Sequence, residues 1–347
     1  MRPTMSDVAR AAGVSAMTVS NVLTGRRRVS PATRSRVEQA ATHLGYELNL
    51  TARHLRAGRT DTVALVVPHF DHPYFGELAA RLAGLLAAED RHLVVEQTGA
   101  SREAELAAVA RARARWQLYD GVVLSAVGMT AADLDAMHTS VPLVLLGEQE
   151  MSARYAHVRM DNVGGARLAT AHLLAAGARR IAVVGGAEPS AEAGMMPART
   201  LGWSLAHDDA GVQAAPELIV RAPADLTSGR DAVRRIVREG LDLDAVLAVT
   251  DSLAVGVLAG LAEAGRRVPD DVQVVGFDNL ASSEFTVPAL STVDPGHEWL
   301  ATETLRLLEA AIARGPAAAA DGAADVPQHV TAPARLVLRG TTRDHRD

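Results

Sequence analysis

The sequence predicts an α/β protein made of a small helical head and a larger body in which parallel strands alternate with helices. Three observations carry that prediction. The first 45 residues hold three short helix patterns, each with its own start and stop signals. From Asp61 onward, short apolar runs alternate with Ala-rich stretches of helical length, the pattern of a doubly wound fold. Charge divides at the same place: residues 1–60 carry ten Arg against Asp7, Glu38 and Glu47, a net of +7, while the remainder carries 25 Arg against 38 acids, a net of −13.

The head reads as follows. Thr4-Met5-Ser6-Asp7 fits a capping box, in which the threonine hydroxyl and the carboxylate three residues later each satisfy an amide of the first turn. Val8, Ala9 and Ala12 then face inward, and Gly13 gives the freedom for a tight turn. Ser15 is placed to cap a second helix from Ala16 to Leu23. Ser30-Pro31 opens a third, with Pro at the first helical position, running through Val37, Ala40, Ala41 and Leu44 to Gly45. A helix, a short turn, a Ser-capped second helix and a supporting third make a helix-turn-helix. With a charge of +7 and the run Arg26-Arg27-Arg28, such a head points to a polyanion. All 35 basic residues are Arg, so it is their distribution and not their number that carries weight.

Residues 49–58 form one short segment between Asn49, a plausible cap, and Gly58, a plausible stop. Ten residues make a marginal helix in water, so this segment is expected to order only when something else holds it. In the body, the runs 63–67, 122–124, 143–146, 181–184, 245–249 and 272–275 read as buried parallel strands, with helices such as 75–89 and 164–176 between them. Some 280 residues suit two lobes better than one. Ligands in such folds lie at the carboxyl ends of the strands. The stretch 315–325 reads as a low-complexity loop and 341–347 as a polar tail; with no heptad repeat there, a dimer is expected.

Composition excludes other classes. Hydrophobic residues make up 48% of 347, ample for a core. No apolar run reaches the roughly 18 residues of a membrane helix. The absence of Cys removes disulfides, thiolate zinc sites and Cys nucleophiles. The amino terminus lacks a signal-peptide core, so a cytoplasmic location is expected. A doubly wound enzyme is the first competing reading, but there is no Gly-x-x-x-x-Gly-Lys, His-Glu-x-x-His or Gly-x-Ser-x-Gly motif. His69 and His72 lack further metal ligands nearby. An exported sugar-binding protein is the second, opposed by the attached head and the missing export signal. No cofactor and no membrane partner are expected.

The stretch from Ser6 to Leu23, SDVARAAGVSAMTVSNVL, resembles the helix-turn-helix of the lactose-repressor (LacI/GalR) family. Val29-Ser30-Pro31-Ala32-Thr33-Arg34, Leu44-Gly45-Tyr46, the 49–58 segment, Asp161-Asn162, Val268-Pro269-Asp270-Asp271-Val272, Gly276-Phe277-Asp278-Asn279 and Leu336–Thr341 extend the resemblance over nearly the whole chain. It implies a dimeric, cytoplasmic repressor with a periplasmic-binding-protein-like core that binds pseudo-palindromic operator DNA and a small effector, most often a sugar. The implied organisation is a DNA-binding domain at 1–48, a hinge helix and linker at 49–60, and a core at 61–347. Its first lobe covers about 61–160 and 292–325, its second about 161–291 and 326–342.

The resemblance also implies roles for individual residues. Ala16, Met17 and Asn21 would face base edges. Ser15, Thr18, Ser20 and Arg28 would hold phosphates, which orient without specifying. Ala52 and Leu55 would lie in the minor groove, with Leu55 as an apolar wedge between base pairs. For the effector it implies Asp71, Tyr74, Phe75 and Ser125 on one lobe and Arg199, Thr250, Asp251 and Asp278 on the other. Ala224 stands where relatives place a stacking aromatic, Thr250 where Asn is common and Ala193 where purine-binding relatives have Arg; these departures argue against a purine.

Overall fold

The computed structural model describes residues 3–24, 27–46, 59–114, 119–137, 139, 141–147, 154–190, 194–321 and 328–343. The expected hinge helix, with Ala52 and Leu55, lies outside them, as do Arg26 and Ala193. The chain divides into two compact units, Met1–Thr60 and Asp61–Asp347.

In the head, α1 (Met5–Ala12), α2 (Ala16–Thr24) and α3 (Pro31–Leu44) follow the signals in the sequence. The capping box is formed: the Thr4 amide donates to Asp7 Oδ2 at 2.9 Å and the Asp7 amide to Thr4 Oγ1 at 3.3 Å. Gly13 ends α1 at φ 60°, a left-handed conformation that costs a residue with a Cβ more than it costs Gly. Ser30 caps α3, accepting from the Thr33 amide. Each helix contributes a fully buried valine, Val8, Val19 and Val37, to one small core. Burying a side chain of that size is worth about 1.5–3 kcal/mol relative to exposing it, which suffices to hold three short helices that would be marginal alone.

The body is built on two six-stranded sheets. In chain order its elements are β1 (Thr62–Val67), α4 (Pro73–Ala87), β2 (His92–Gln97), α5 (Arg102–Ala114), β3 (Gly121–Leu124), α6 (Ala131–Ala136), β4 (Leu143–Leu146), β5 (Ala156–Met160), α7 (Asn162–Ala175), β6 (Ile181–Val184), α8 (Met195–Ala210), β7 (Ile219–Val220), α9 (Leu226–Arg238), β8 (Ala245–Ala248), α10 (Asp251–Glu263), β9 (Gln273–Phe277), β10 (Ser291–Asp294), α11 (His297–Asp321), β11 (His329–Ala332) and β12 (Arg335–Val337). The first sheet has the order β11-β5-β4-β3-β1-β2 and the second β12-β10-β9-β8-β6-β7. All pairings are parallel except β10 with β12. The strand order reverses beside β1 in the first sheet and beside β6 in the second, the switch points at which open parallel sheets make a crevice.

Helices cover the sheets for a plain reason. In α4, Leu78, Leu82 and Leu86 recur at every fourth position and are almost fully buried, an apolar stripe along one face. The helices α9 and α10 cross where Gly229 and Gly256 meet; a Cβ on Gly256 would run into the Leu226 carbonyl, and one on Gly229 into that of Leu253. No helix among the described residues is long and apolar enough to cross a membrane.

Three expectations from the sequence need correcting. The chain crosses between the sheets later than expected: Ser291–Asp294 belongs to the second sheet and His329–Ala332 to the first, so 292–294 and 329–332 exchange lobes. Both strands are only four residues long and mix Ser, Thr, Asp and His with apolar residues, which leaves no run to read. Gly315–Asp321 is not a loop but the end of α11; Ala317–Ala320 is the strongest helix-forming composition available. Thr341 and Thr342 are buried rather than part of a tail: the Thr341 hydroxyl donates to the Val274 carbonyl at 2.7 Å and accepts from the Ser291 amide at 2.8 Å.

One buried histidine of the first sheet makes the body sensitive to acid. His157 on β5 is 2% exposed, and its Nε2 donates to the Gly147 carbonyl at 2.7 Å. A carbonyl only accepts, so Nδ1 is a buried lone pair with no hydrogen-bond partner among the described residues. Burial pushes this imidazole down to about 4 from an ordinary value of 6.5. The unfolded chain therefore binds a proton that the folded chain refuses. The contribution is fully present above pH 6.5 and is lost as pH falls toward 4, by about 3 kcal/mol in total. His157→Gln is expected to narrow the fall in melting temperature between pH 7 and pH 4.5; parallel pH profiles for the two proteins would rule this out.

Candidate functional site

In the head, α2 is divided by its own packing. Val19 and Val22 point inward, whereas Ala16 and Met17 stand outside, Met17 at 70% exposed. A large apolar side chain left that far outside the core has no packing role in the head. Ser15 begins the helix: its hydroxyl accepts from the Thr18 amide at 3.1 Å and lies 2.9 Å from the Thr18 hydroxyl. Ser20 and Asn21 are half-buried on the flank, and Arg28 is exposed beyond the helix. This surface offers an apolar tip suited to a thymine methyl, an amide suited to an adenine edge, and hydroxyls and guanidinium suited to phosphates.

In the body, the strand ends gather a polar cluster around Arg199. This residue sits in the second turn of α8 and is 2% exposed. Its Nε donates to Asn162 Oδ1 at 2.8 Å, Nη1 to the Val249 carbonyl and to Asp278 Oδ1 at 3.4 Å, and Nη2 faces Met160 Sδ at 3.7 Å. The guanidinium carbon lies 3.5 Å from the centre of the Phe277 ring, a stacked cation–π contact. Five residues thus converge on one side chain. Asp161 makes this possible by capping α7 through the Gly164 amide at 2.8 Å, which sets Asn162 at the crossover from β5.

Asp278 follows β9 with φ 114° and Asn279 with φ 47°. Neither is Gly, and such strained backbone persists only where its surroundings enforce it. They do: the Asp278 amide donates to the Val293 carbonyl, the Asn279 amide to the Thr292 hydroxyl, and Arg339 Nη2 to Asn279 Oδ1. The strain places a carboxylate that is 3% exposed beside Arg199. His297, at the start of α11, donates from Nε2 to the Asp278 carbonyl. Its ring lies 5.5 Å from that of Tyr74, which in turn packs edge-on against Phe75 at 5.0 Å. On the loop before α4, the His72 imidazole is held below its ordinary value by burial and then by the Arg199 charge. Tyr74, His297, Asp278 and Arg199 therefore form one continuous chain of buried contacts from the first sheet to the second.

The remaining expected residues are placed differently. Asp71 is exposed on the same loop as His72, and Phe75 is half-buried against the core. Ser125 is buried at the end of β3, its amide donating to the Val66 carbonyl. Thr250 caps α10, accepting from the Leu253 amide at 3.2 Å. Asp251 is committed to the interior of the second lobe: it is 0% exposed and accepts from the Leu280 amide and from the hydroxyls of Ser283 and Thr292. Burial pushes its carboxyl up to about 6. An acid just after a strand reads the same in sequence whether it faces the crevice or the layer beneath, and here it ties the 280–283 loop to β10. Ala224 is half-buried and supplies no aromatic face.

Sequence reasoning missed Asn162, Met160 and His297 as members of the cluster. Asn162 stood in a motif already noticed, but nothing assigned its partner; for His297 no local signal exists. Glu77 on α4 was also missed: its Oε1 accepts from the Ala281 amide at 2.8 Å and links the two sheets' loops. Among the described residues, no three His, Asp or Glu side chains gather to hold a metal ion.

Comparison with known proteins places both units. Residues 4–49 match the family model for bacterial regulatory proteins of the lacI family, and residues 170–342 that for a periplasmic binding protein-like domain. The HTH-type transcriptional regulator CelR of Thermobifida fusca is 34% identical over 320 residues, 88% of this chain and 91% of that protein. The solved CelR–cellobiose complex superposes with a TM-score of 0.68 at 30% identity, covering 98% of this chain and all of that one. The lac repressor dimer bound to operator and the anti-inducer ONPF superposes with a TM-score of 0.78 at 26% identity, covering 99% of each.

Proposed function

The chain belongs to the lacI family of bacterial regulatory proteins, and from that premise we propose that it is a homodimeric, cytoplasmic repressor whose hold on a pseudo-palindromic operator is set by a sugar bound between the lobes of its body. It is a DNA-binding transcriptional regulator and not an enzyme. The observation that carries the proposal is the chain of buried contacts Tyr74–His297–Asp278–Arg199 at the switch-point ends of both sheets, on the same chain as an α2 helix that presents Met17 outward with Asn21 half-buried on its flank. Carboxylate, imidazole and an aromatic face are the chemistry that sugar hydroxyls and ring carbons require. A relative of 30% identity, CelR, has been solved with cellobiose, which makes a saccharide the first effector to try.

In this reading Ala16, Met17 and Asn21 face base edges, and Ser15, Thr18, Ser20 and Arg28 face phosphates. Tyr74, Phe75, Asp71, Ser125, Arg199 and Asp278 surround the effector, with Thr250 and Asp251 supporting the loops that hold it. A sugar that favours one lobe closure over another changes operator affinity, and operator changes sugar affinity by the same factor. Fluorescence anisotropy of a labelled operator, repeated with a panel of saccharides, is expected to show one that shifts Kd about 5–150-fold, the range of a 1–3 kcal/mol coupling. An operator affinity indifferent to every saccharide would remove the effector half of the proposal.

A further inference from the structure

The head and the body are separate compact units whose boundary falls between Thr60 and Asp61, and a single peptide bond crosses it. Asp61, the first residue of the body, is held through both of its backbone polar groups. Its amide donates to Asp120 Oδ2 at 2.9 Å, and its carbonyl accepts from the His92 amide at 2.8 Å. Asp120 is tied back in turn, its own amide donating to the Thr62 carbonyl at 2.8 Å. Asp61 has φ 55°, the left-handed region, which is costly for a residue with a Cβ. The bonds on either side of Asp61 hold it in that conformation.

The base of this anchor is rigid. β1 pairs with β3 from Val63 with Gly121 onward, and with β2 from Thr62 with His92 onward. A Cβ on Gly121 would lie 2.8 Å from Leu308 Cδ1, so α11 closes directly over the start of β3. The buried Arg91 guanidinium ties the start of β2 to Glu309 of the same helix. The Asp120 carboxylate stands apart from these constraints, because the ladder between β1 and β3 begins beyond it and does not need it. What the carboxylate fixes is the plane of the peptide between Thr60 and Asp61, and with it the direction in which the chain leaves the body.

We propose that Asp120 is a positioning residue for operator binding, aiming the linkers of a dimer so that both heads reach half-sites of one fixed spacing. This rests on the dimeric, operator-binding reading above. Two tethered heads bind with an effective concentration set by the tethers, and a looser tether lowers it without changing either head's own contacts. The test uses the full chain and three duplexes built from the motif that the wild type selects. They are the whole palindrome, the palindrome with one base pair inserted at its centre, and a single half-site. Asp120→Ala is expected to bind the palindrome about tenfold more weakly and to lose the wild type's discrimination against the inserted base pair. It is expected to bind the single half-site as the wild type does, at a melting temperature close to that of the wild type. Asp120→Asn keeps an acceptor for the Asp61 amide and is expected to restore most of the loss. Hydrogen exchange of the peptide containing that amide should rise in Asp120→Ala and not in Asp120→Asn. Unchanged affinity and spacing preference in Asp120→Ala, or equal weakening on all three duplexes, overturns this inference and leaves the operator reading standing. If the wild type selects no two-fold motif, both fall together.

Discussion

Replacing Arg199 by Met is expected to abolish the response to effector and to lower the melting temperature of the body by roughly 10 °C. The reason is what the substitution leaves behind. Asp278 is as buried as Arg199, and removing one member of a buried ion pair strands the other, typically at a cost of about 3–5 kcal/mol. In a domain of this size each kcal/mol moves the melting temperature by about 2–4 °C. Asn162 Oδ1 and the Val249 carbonyl lose their donor in the same step. Arg199→Lys is expected to fare little better, since an ammonium cannot span these partners or stack on Phe277 as a planar fork does. The double variant Arg199→Met/Asp278→Leu separates the two roles. It is expected to recover most of the stability, because replacing both charges by apolar groups is often close to neutral, while the effector response stays absent. Thermal unfolding together with sugar titration checks both halves; a stable single variant would show that the pair contributes little to the fold.

The second large effect is expected at Leu55, from the resemblance of the 49–58 segment to the family's hinge. An apolar side chain driven between two base pairs kinks the duplex and opens the minor groove. The resulting bend makes specific binding depend on sequences the protein does not touch. On that reading Leu55→Ala would remove the wedge and spare the residues of the head expected to face phosphates, Ser15, Thr18, Ser20 and Arg28. Specific affinity is expected to fall at least 100-fold toward the non-specific level, which in such systems lies about 10³–10⁷ lower, while non-specific binding and its salt dependence persist. Analytical ultracentrifugation should show an unchanged dimer. Operator affinity within a few-fold of the wild type would remove Leu55 from the interface.

What could be read in the sequence follows from what was local. Capping by Thr4 and Ser30, the left-handed Gly13 and the central strands β1, β3, β4, β6, β8 and β9 each depend on a few adjacent residues, and the structure forms all of them. Of the strands that were missed, β2, β7, β11 and β12 are sheet edges, while β5 and β10 are interior strands whose apolar run is broken by His157 and Arg159 and by Ser291, Thr292 and Asp294. In β2 the side chains are exposed or half-buried along its length, so His92, Glu96 and Gln97 break the apolar run that marks a buried strand. Arg199 and Asp278 were visible only through resemblance, and Asn162 and His297 not at all as partners. Positions 74, 162, 199, 278 and 297 meet because the chain passes from sheet to sheet three times, and no spacing in the sequence encodes that. Asp251 shows the limit from the other side: residue type and position after a strand were read correctly, but its burial under the 280–283 loop was decided by Ser283 and Thr292.

The central claim is that α2 reads a two-fold operator under the control of a ligand in the body. The most direct measurement is selection of genomic DNA fragments by the purified full-length protein at fixed salt, with and without the saccharide panel. The expected result is a single pseudo-palindromic motif with half-sites about one helical turn apart, whose recovery changes with one saccharide. Fragments recovered without a shared motif under every condition would contradict it.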